Sequence, residues 1–176
     1  PNSSVTIAPA AISISASNAV KVYDTTTSIL GATTAPAATV VSGSLYANSS
    51  TGYTDALSGG TFEFATSAAG SGNKTLNVSA VSILNGTTNA ASNYTITYVA
   101  GNLTINKAAL TVTANNASMT YGGTMPTLTA SYSGFVNGDS SASLTTAPTV
   151  TSSTAATANA GTYTGTITAT GAVDSN

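Results

Sequence analysis

Between Asn93 and Gly122, three short runs put an apolar residue at every second position: Tyr94-Ile96-Tyr98, Leu103-Ile105 and Leu110-Val112-Ala114. Threonine fills the positions between them. A period of two is what a half-buried β-strand requires, with one face on a core and the other in water. Only Lys107-Ala108-Ala109 separates the second run from the third. One module therefore ends and another begins within a few residues.

This junction has an earlier counterpart. Val5 through Ala19 lies over Leu103 through Ala117 without a gap, and the apolar alternation is kept throughout. The match continues to Tyr23 over Tyr121 and Thr26 over Thr124. A period this long indicates tandem domains, since solenoid repeats run roughly 20–50 residues. Residues 1–9 then read as the closing strand of a preceding or neighbouring module, 10–107 as one β-domain and 108–176 as a second. Tyr94 to Tyr98 and Leu103 to Ile105 read as a closing hairpin around Ala100-Gly101-Asn102. Asp174-Ser175-Asn176 stands where Ala91-Ser92-Asn93 stands in the first domain, so the second domain is expected to lack that hairpin. An exposed edge pairs readily with another strand, and the expected partners are neighbouring repeats or copies joined through edge strands.

Composition narrows the class. Charged residues make up 5% of the chain, the net charge is −2, and Arg, His, Cys, Trp and Gln are absent. Glu and Lys, the usual residues of a solvent-facing helix, are nearly missing. Thr and Ser alternate instead with Val, Ile, Leu and Tyr, which favours sheet. The expectation is an all-β or β-rich chain with at most one short helical turn per module, such as Ser140 to Leu144. No run approaches the ~18 apolar residues of a membrane span. Lys21, Lys74 and Lys107 form no basic patch, so neither nucleic acid nor membrane insertion is expected. Pro1-Asn2-Ser3-Ser4 has no basic or apolar leader character, so no signal peptide is expected there; the chain reads as part of a longer exported protein. The lack of Cys excludes a disulfide scaffold.

Reactive chemistry finds few candidates. Nucleophilic catalysis needs a base beside a hydroxyl or thiol; without His or Cys the chain is read as non-enzymatic, with no cofactor and no metal. Asp139 is the best Ca²⁺ candidate, yet no second acid lies near it, and Ca²⁺ takes ~6–8 oxygens. Glu63, between Phe62 and Phe64, is weighed as the buried acid of a Lys–Asn cross-link and more readily placed outward on an alternating strand. Tyr23 and Tyr121 hold matched positions, and Tyr94 and Tyr98 share a strand face, so these four are the candidates for stacking against sugar. Core filling is the plainer role for each. Asn-x-Ser/Thr sequons at Asn2, Asn48, Asn73, Asn77, Asn85, Asn93, Asn102 and Asn116 are candidate glycosylation sites.

Several of these stretches carry a family pattern. Lys21-Val22-Tyr23-Asp24-Thr25-Thr26 resembles the Tyr-Asp-Gly signature of YDG-type domains, with Thr25 where the signature has Gly. Met119-Thr120-Tyr121-Gly122-Gly123, Gly134-Phe135-Val136-Asn137-Gly138-Asp139 and Asn93-Tyr94-Thr95-Ile96-Thr97-Tyr98 resemble MBG-type domains of the YGX kind. Asp24, Gly122, Gly123, Asn137, Gly138 and Asp139 are the structural turn residues on this reading. The resemblance implies β-grasp-like modules (alternatively Ig-like sandwiches) in an elongated array. It also implies large bacterial surface or biofilm-matrix adhesins, including filamentous-haemagglutinin-like proteins exported by the two-partner route. The expected role is a non-catalytic extracellular repeat of a stalk or fibre. Alternatives are a module that binds extracellular polysaccharide or mucin, and a filament subunit completed by strand exchange between copies.

Overall fold

A computed structural model describes residues 3–69 and 74–176, so Asn2 and Asn73 lie outside the described residues. The chain divides into two compact units, Pro1–Asn106 and Lys107–Asn176. Both are β-rich. The helical elements among the described residues are two 3-10 turns, Ala91–Asn93 and Ser141–Ser143. The second falls within Ser140 to Leu144 and is closed by a capping box, with Ser140 accepting from the Ala142 amide and donating its own amide to Ser143 Oγ.

The first unit contains β1 (Ala10–Ala16), β2 (Ala19–Val22), β3 (Ala38–Ser42), β4 (Ala47–Asn48), β5 (Tyr53–Ser58) and β6 (Thr61–Glu63). It continues with β7 (Lys74–Ser79), β8 (Ser82–Asn85), β9 (Thr88–Asn89), β10 (Tyr94–Val99) and β11 (Gly101–Asn106). They form three sheets of order β10-β1-β3, β2-β11-β7-β6 and β4-β5-β8-β9. Alternation sets the core: Ile12 and Ile14 of β1, Leu76 and Val78 of β7, and Leu103 and Ile105 of β11 are all buried. β1 and β10 pack against β7, so the first two sheets enclose this core between them.

β10 and β11 do not form the expected hairpin. β10 pairs with β1 and β11 pairs with β2, both parallel. The chain crosses from one sheet to the other at Ala100, and between β1 and β2 it makes the same crossing at Ser17-Asn18. Alternation specifies which face of each strand is buried, and this arrangement satisfies it as well as a hairpin would. Gly101 sits at the crossing, where a Cβ would run into the Ala16 carbonyl. Hairpins in the unit lie elsewhere: β4 turns into β5 across residues 49–52, and β8 turns into β9 at Gly86-Thr87.

Ser4 to Ile7, within the residues expected as a closing strand, joins no ladder, and Val5 and Ile7 are 92% and 91% exposed. In the second unit, β12 (Thr111–Ala114) pairs with β13 (Ala130–Ser133), and β14 (Thr149–Ser152) pairs with β15 (Ile167–Thr170), both antiparallel. Met119-Thr120-Tyr121 forms no strand: Tyr121 enters a turn closed by the Gly123 amide on the Thr120 carbonyl. No residue of Lys107–Asn176 is buried.

Gly101→Ala is expected to lower the unfolding free energy by about 2–3 kcal/mol, because backbone rather than a flexible side chain meets the new methyl. Urea denaturation of the two proteins checks this.

Candidate functional site

The phase of β2 is the first surprise. Val20 and Val22 carry the apolar alternation, yet Ala19, Lys21 and Tyr23 face inward and Val22 is 43% exposed. Lys21 is 1% exposed. A buried ammonium is tolerated only when its charge and its three N–H groups are matched. Its Nζ lies 2.8 Å from Asp24 Oδ1, 2.7 Å from the Ser28 carbonyl, and 3.2 and 3.3 Å from Thr26 Oγ1 and the Thr26 carbonyl. The Phe64 ring lies 5.4 Å from the same nitrogen, within the range of a cation–π contact.

Asp24 organises the turn from the other side. Its Oδ1 also accepts from the Thr26 amide at 3.0 Å and the Thr26 hydroxyl at 2.9 Å. Burial works to raise the Asp24 pKa, but the Lys21 hydrogen bond, the two Thr26 donors and the Lys21 charge outweigh it. The carboxyl ends below its ordinary 3.8. Between these anchors Thr25 has φ 62, a left-handed conformation that a β-branched residue adopts only under strain.

A second buried acid lies elsewhere in the unit. Asp55, 5% exposed, points inward from β5. Its Oδ2 accepts from the Tyr94 hydroxyl at 2.6 Å, and that hydroxyl accepts from the Tyr46 amide at 2.8 Å. Burial, and then the Asp55 hydrogen bond, push the Tyr94 hydroxyl above its ordinary 10.0 against the opposing effect of the Tyr46 amide. Asp55 Oδ1 is enclosed and has no hydrogen-bond partner among the described residues. Beside this network opens a cleft of about 650 Å³, lined by Tyr46, Tyr53, Asp55, Asn93 and Tyr94 among others. Tyr46 and Tyr53 meet edge to face at 5.8 Å and are 53% and 41% exposed.

Of the four candidate sugar-stacking tyrosines, Tyr23 and Tyr94 are each 8% exposed and present no ring face to solvent. Tyr98 is 41% exposed, and its hydroxyl accepts from the Val81 amide. Tyr121 is 68% exposed in the second unit, so the matched positions Tyr23 and Tyr121 differ completely in environment. Glu63 is exposed; the buried acid is Asp55. Asp55 was legible only as the residue two before Leu57 in an alternating run, and Lys21 only through its spacing from Tyr23.

The turn residues of the second unit are well defined. Gly122 has φ 77 within the Thr120–Gly123 turn. Asn137 and Gly138, at φ 48 and φ 92, form a two-residue reversal closed by the Asp139 amide on the Val136 carbonyl. Among the candidate glycosylation sites, Asn77, Asn93, Asn102 and Asn116 are exposed, and Asn48 and Asn85 are half-buried.

Residues 8–101 match the YDG domain family, more than half of the chain. The chain belongs to that family. Residues 110–176 match the MBG domain of the YGX type. No curated protein and no solved structure matches the chain. Domains of both kinds are found in bacterial surface proteins. In the YDG unit the signature residues have structural tasks: Tyr23 fills the core, Asp24 holds Lys21, and Thr25 takes the glycine-like position.

Two outcomes follow. Thr25→Gly is expected to stabilise the protein by about 1 kcal/mol through relief of the left-handed strain, read from the denaturation midpoint. The lowered pKa of Asp24 gives a stabilisation that is complete above the unfolded carboxylate value of about 3.9 and is lost as pH falls through the lower folded value. The wild-type melting temperature should therefore drop across that acid window relative to Asp24→Asn, whose side chain does not titrate.

Proposed function

We propose that the chain is a non-catalytic, extracellular repeat module that carries load in the stalk or fibre of a bacterial surface adhesin or matrix protein. The observation that carries this reading is the parallel pairing of the first and last strands of the YDG unit. β1 runs beside β10 from Ala10 and Tyr94 to Ser15 and Val99, and β2 runs beside β11 from Ala19 and Leu103 to Val22 and Asn106. Tension entering before Ala10 and leaving after Asn106 pulls these strands past each other along their length. Ladder hydrogen bonds lie across the strands, so they share that load together instead of opening one at a time. Low charge suits a mechanical part, because little of its cohesion depends on ionic strength.

The same reading takes the YDG unit as a sandwich-like bead in an elongated array. Support comes from the facing sheets β10-β1-β3 and β2-β11-β7-β6; a β-grasp would place a helix against one sheet. A polysaccharide- or mucin-binding role is favoured by one observation, the cleft bearing the half-exposed Tyr46 and Tyr53. On that reading Tyr46→Ala and Tyr53→Ala abolish retention on a glycan array.

Force spectroscopy tests the mechanical proposal, and the absence of Cys leaves engineered thiols as unique handles. Pulling through Ala8→Cys and Lys107→Cys loads the terminal strands in shear. Pulling through Ala8→Cys and Ser92→Cys opens the β1–β10 pair from one end. The first geometry should rupture at a clearly higher force, and equal forces would remove the mechanical argument.

A further inference from the structure

The buried Asp55 makes no ion pair among the described residues, and no lysine lines the cleft beside it. Its bonding pattern favours the charged form. The Tyr46 amide already donates to the Tyr94 hydroxyl, so the proton of that hydroxyl points to Asp55 Oδ2. A neutral Asp55 would therefore carry its own proton on Oδ1, and Oδ1 has no hydrogen-bond partner among the described residues. Asn85 stands opposite Asp55 across the β5–β8 ladder, and its Nδ2 is likewise enclosed without a partner. An amide can offer a hydrogen bond, but it cannot cancel a charge.

Tyrosine rings surround this acid. Tyr53 precedes Asp55 by two residues on β5, so both side chains leave the same face of the strand. Tyr46 is placed beside them by the bond from the Asp55 amide to its carbonyl, and its hydroxyl is held by Asn48 Nδ2 at 3.1 Å. The two half-exposed rings stand at 63° to each other, a corner that opens on the cleft. The face of an aromatic ring is its negative pole. A volume of about 650 Å³ falls in the range of small-molecule sites, about 300–1,000 Å³.

We propose that this cleft binds a quaternary ammonium group, such as the trimethylammonium of choline, between the Tyr46 and Tyr53 rings and above the Asp55 carboxylate. This goes beyond the load-bearing role, in which the cleft has no part. A charge buried away from water is poorly screened, so Asp55 attracts a cation without touching it. Contact is supplied by the rings, on which a quaternary ammonium is held by cation–π attraction. A primary ammonium is the poorer ligand. Oδ2 is committed to Tyr94 and Oδ1 is enclosed, so its N–H groups gain no bond to the acid for the water they give up. A trimethylammonium has no N–H to satisfy. Anionic ligands are repelled, because the lining holds an acid and no cation.

Choline titrated into the full chain tests this, read from its N-methyl proton resonance, which a tyrosine face shifts upfield. The controls are ethanolamine, a primary ammonium, and dimethylbutanol, the uncharged tert-butyl isostere of choline. Choline should bind roughly tenfold more tightly than either control. Tyr53→Leu should weaken choline severalfold, and Asp55→Asn, which keeps an acceptor for Tyr94, should bring choline to the level of the isostere. No saturable shift with choline, or equal binding of choline and dimethylbutanol, overturns the proposal. Both are read on the wild-type chain, so the folding of a variant does not enter. Cosedimentation with phosphatidylcholine vesicles assigns the group to a lipid headgroup; choline binding without cosedimentation assigns it to a soluble or polymer-borne ligand, and each supports the site. Retention of neutral glycan by the same rings needs no charge and would survive Asp55→Asn, which separates that reading from this one.

Discussion

Two segments of the first unit change sheets side by side, and the rest of that unit is arranged around the crossing. β1 passes into β2 through Ser17-Asn18 while β10 passes into β11 through Ala100, and the two segments pair in parallel both before and after the crossing. The backbones come close enough at Ala16 and Gly101 that only hydrogen fits between them. This contact lets one strand line the core from one sheet with Ile12 and Ile14 while its continuation lines it from the other with Ala19 and Lys21. It also places the first and last strands of the unit next to each other. A hairpin between β10 and β11 would have kept both in one sheet and given up that adjacency.

The buried lysine belongs to the same construction. β2 is the edge of its sheet, and its inward side chain must close the end of the core beneath a polar loop. An apolar residue would fill the volume but leave the Thr26 and Ser28 carbonyls without the donor they now share. Leaving a buried acceptor unsatisfied costs about 1–3 kcal/mol, comparable to the hydrophobic gain from one buried aliphatic side chain at about 1.5–3 kcal/mol. Buried ion pairs are seldom strongly stabilising in themselves. What Lys21 supplies is definition: one ammonium ties three loop residues to one strand position. The Tyr-Asp pair of the signature acquires a physical meaning here, with the tyrosine seated in the core and the aspartate neutralising the charge beside it.

Alternation made the strands legible and left their partners unreadable. The runs at Tyr94-Ile96-Tyr98, Leu103-Ile105 and Leu110-Val112-Ala114 each gave a strand. Period two reports a face, however, and says nothing of which neighbour completes the ladder, so the closing pair was assigned to a hairpin when it spans two sheets. In β2 the apolar phase of Val20-Lys21-Val22 is not the one the structure uses, because Lys21 finds four acceptors inside the fold. Turn chemistry was more readable. Asn85-Gly86, Gly122-Gly123 and Asn137-Gly138 all mark reversals with left-handed residues. Glu63 lies outward, as its alternating strand suggested, while the buried acid Asp55 went unread because Tyr94, which encloses it, lies far from it in sequence.

The repeat itself shows how little a shared pattern guarantees. Ile12-Ser13-Ile14 and Leu110-Thr111-Val112 are equivalent in sequence, yet both isoleucines are buried while Leu110 and Val112 remain half-exposed. The difference lies in the number of surfaces each strand meets. β1 has a strand on either side and β7 packed against it; β12 has β13 alone in its ladder and β15 against it. A two-stranded ladder is marginal in water without a further strand or layer against its apolar face. The YGX-type unit carries the alternation of a core-forming module and the environment of an edge, so its side chains reach the burial seen in the first unit only where additional β structure meets them.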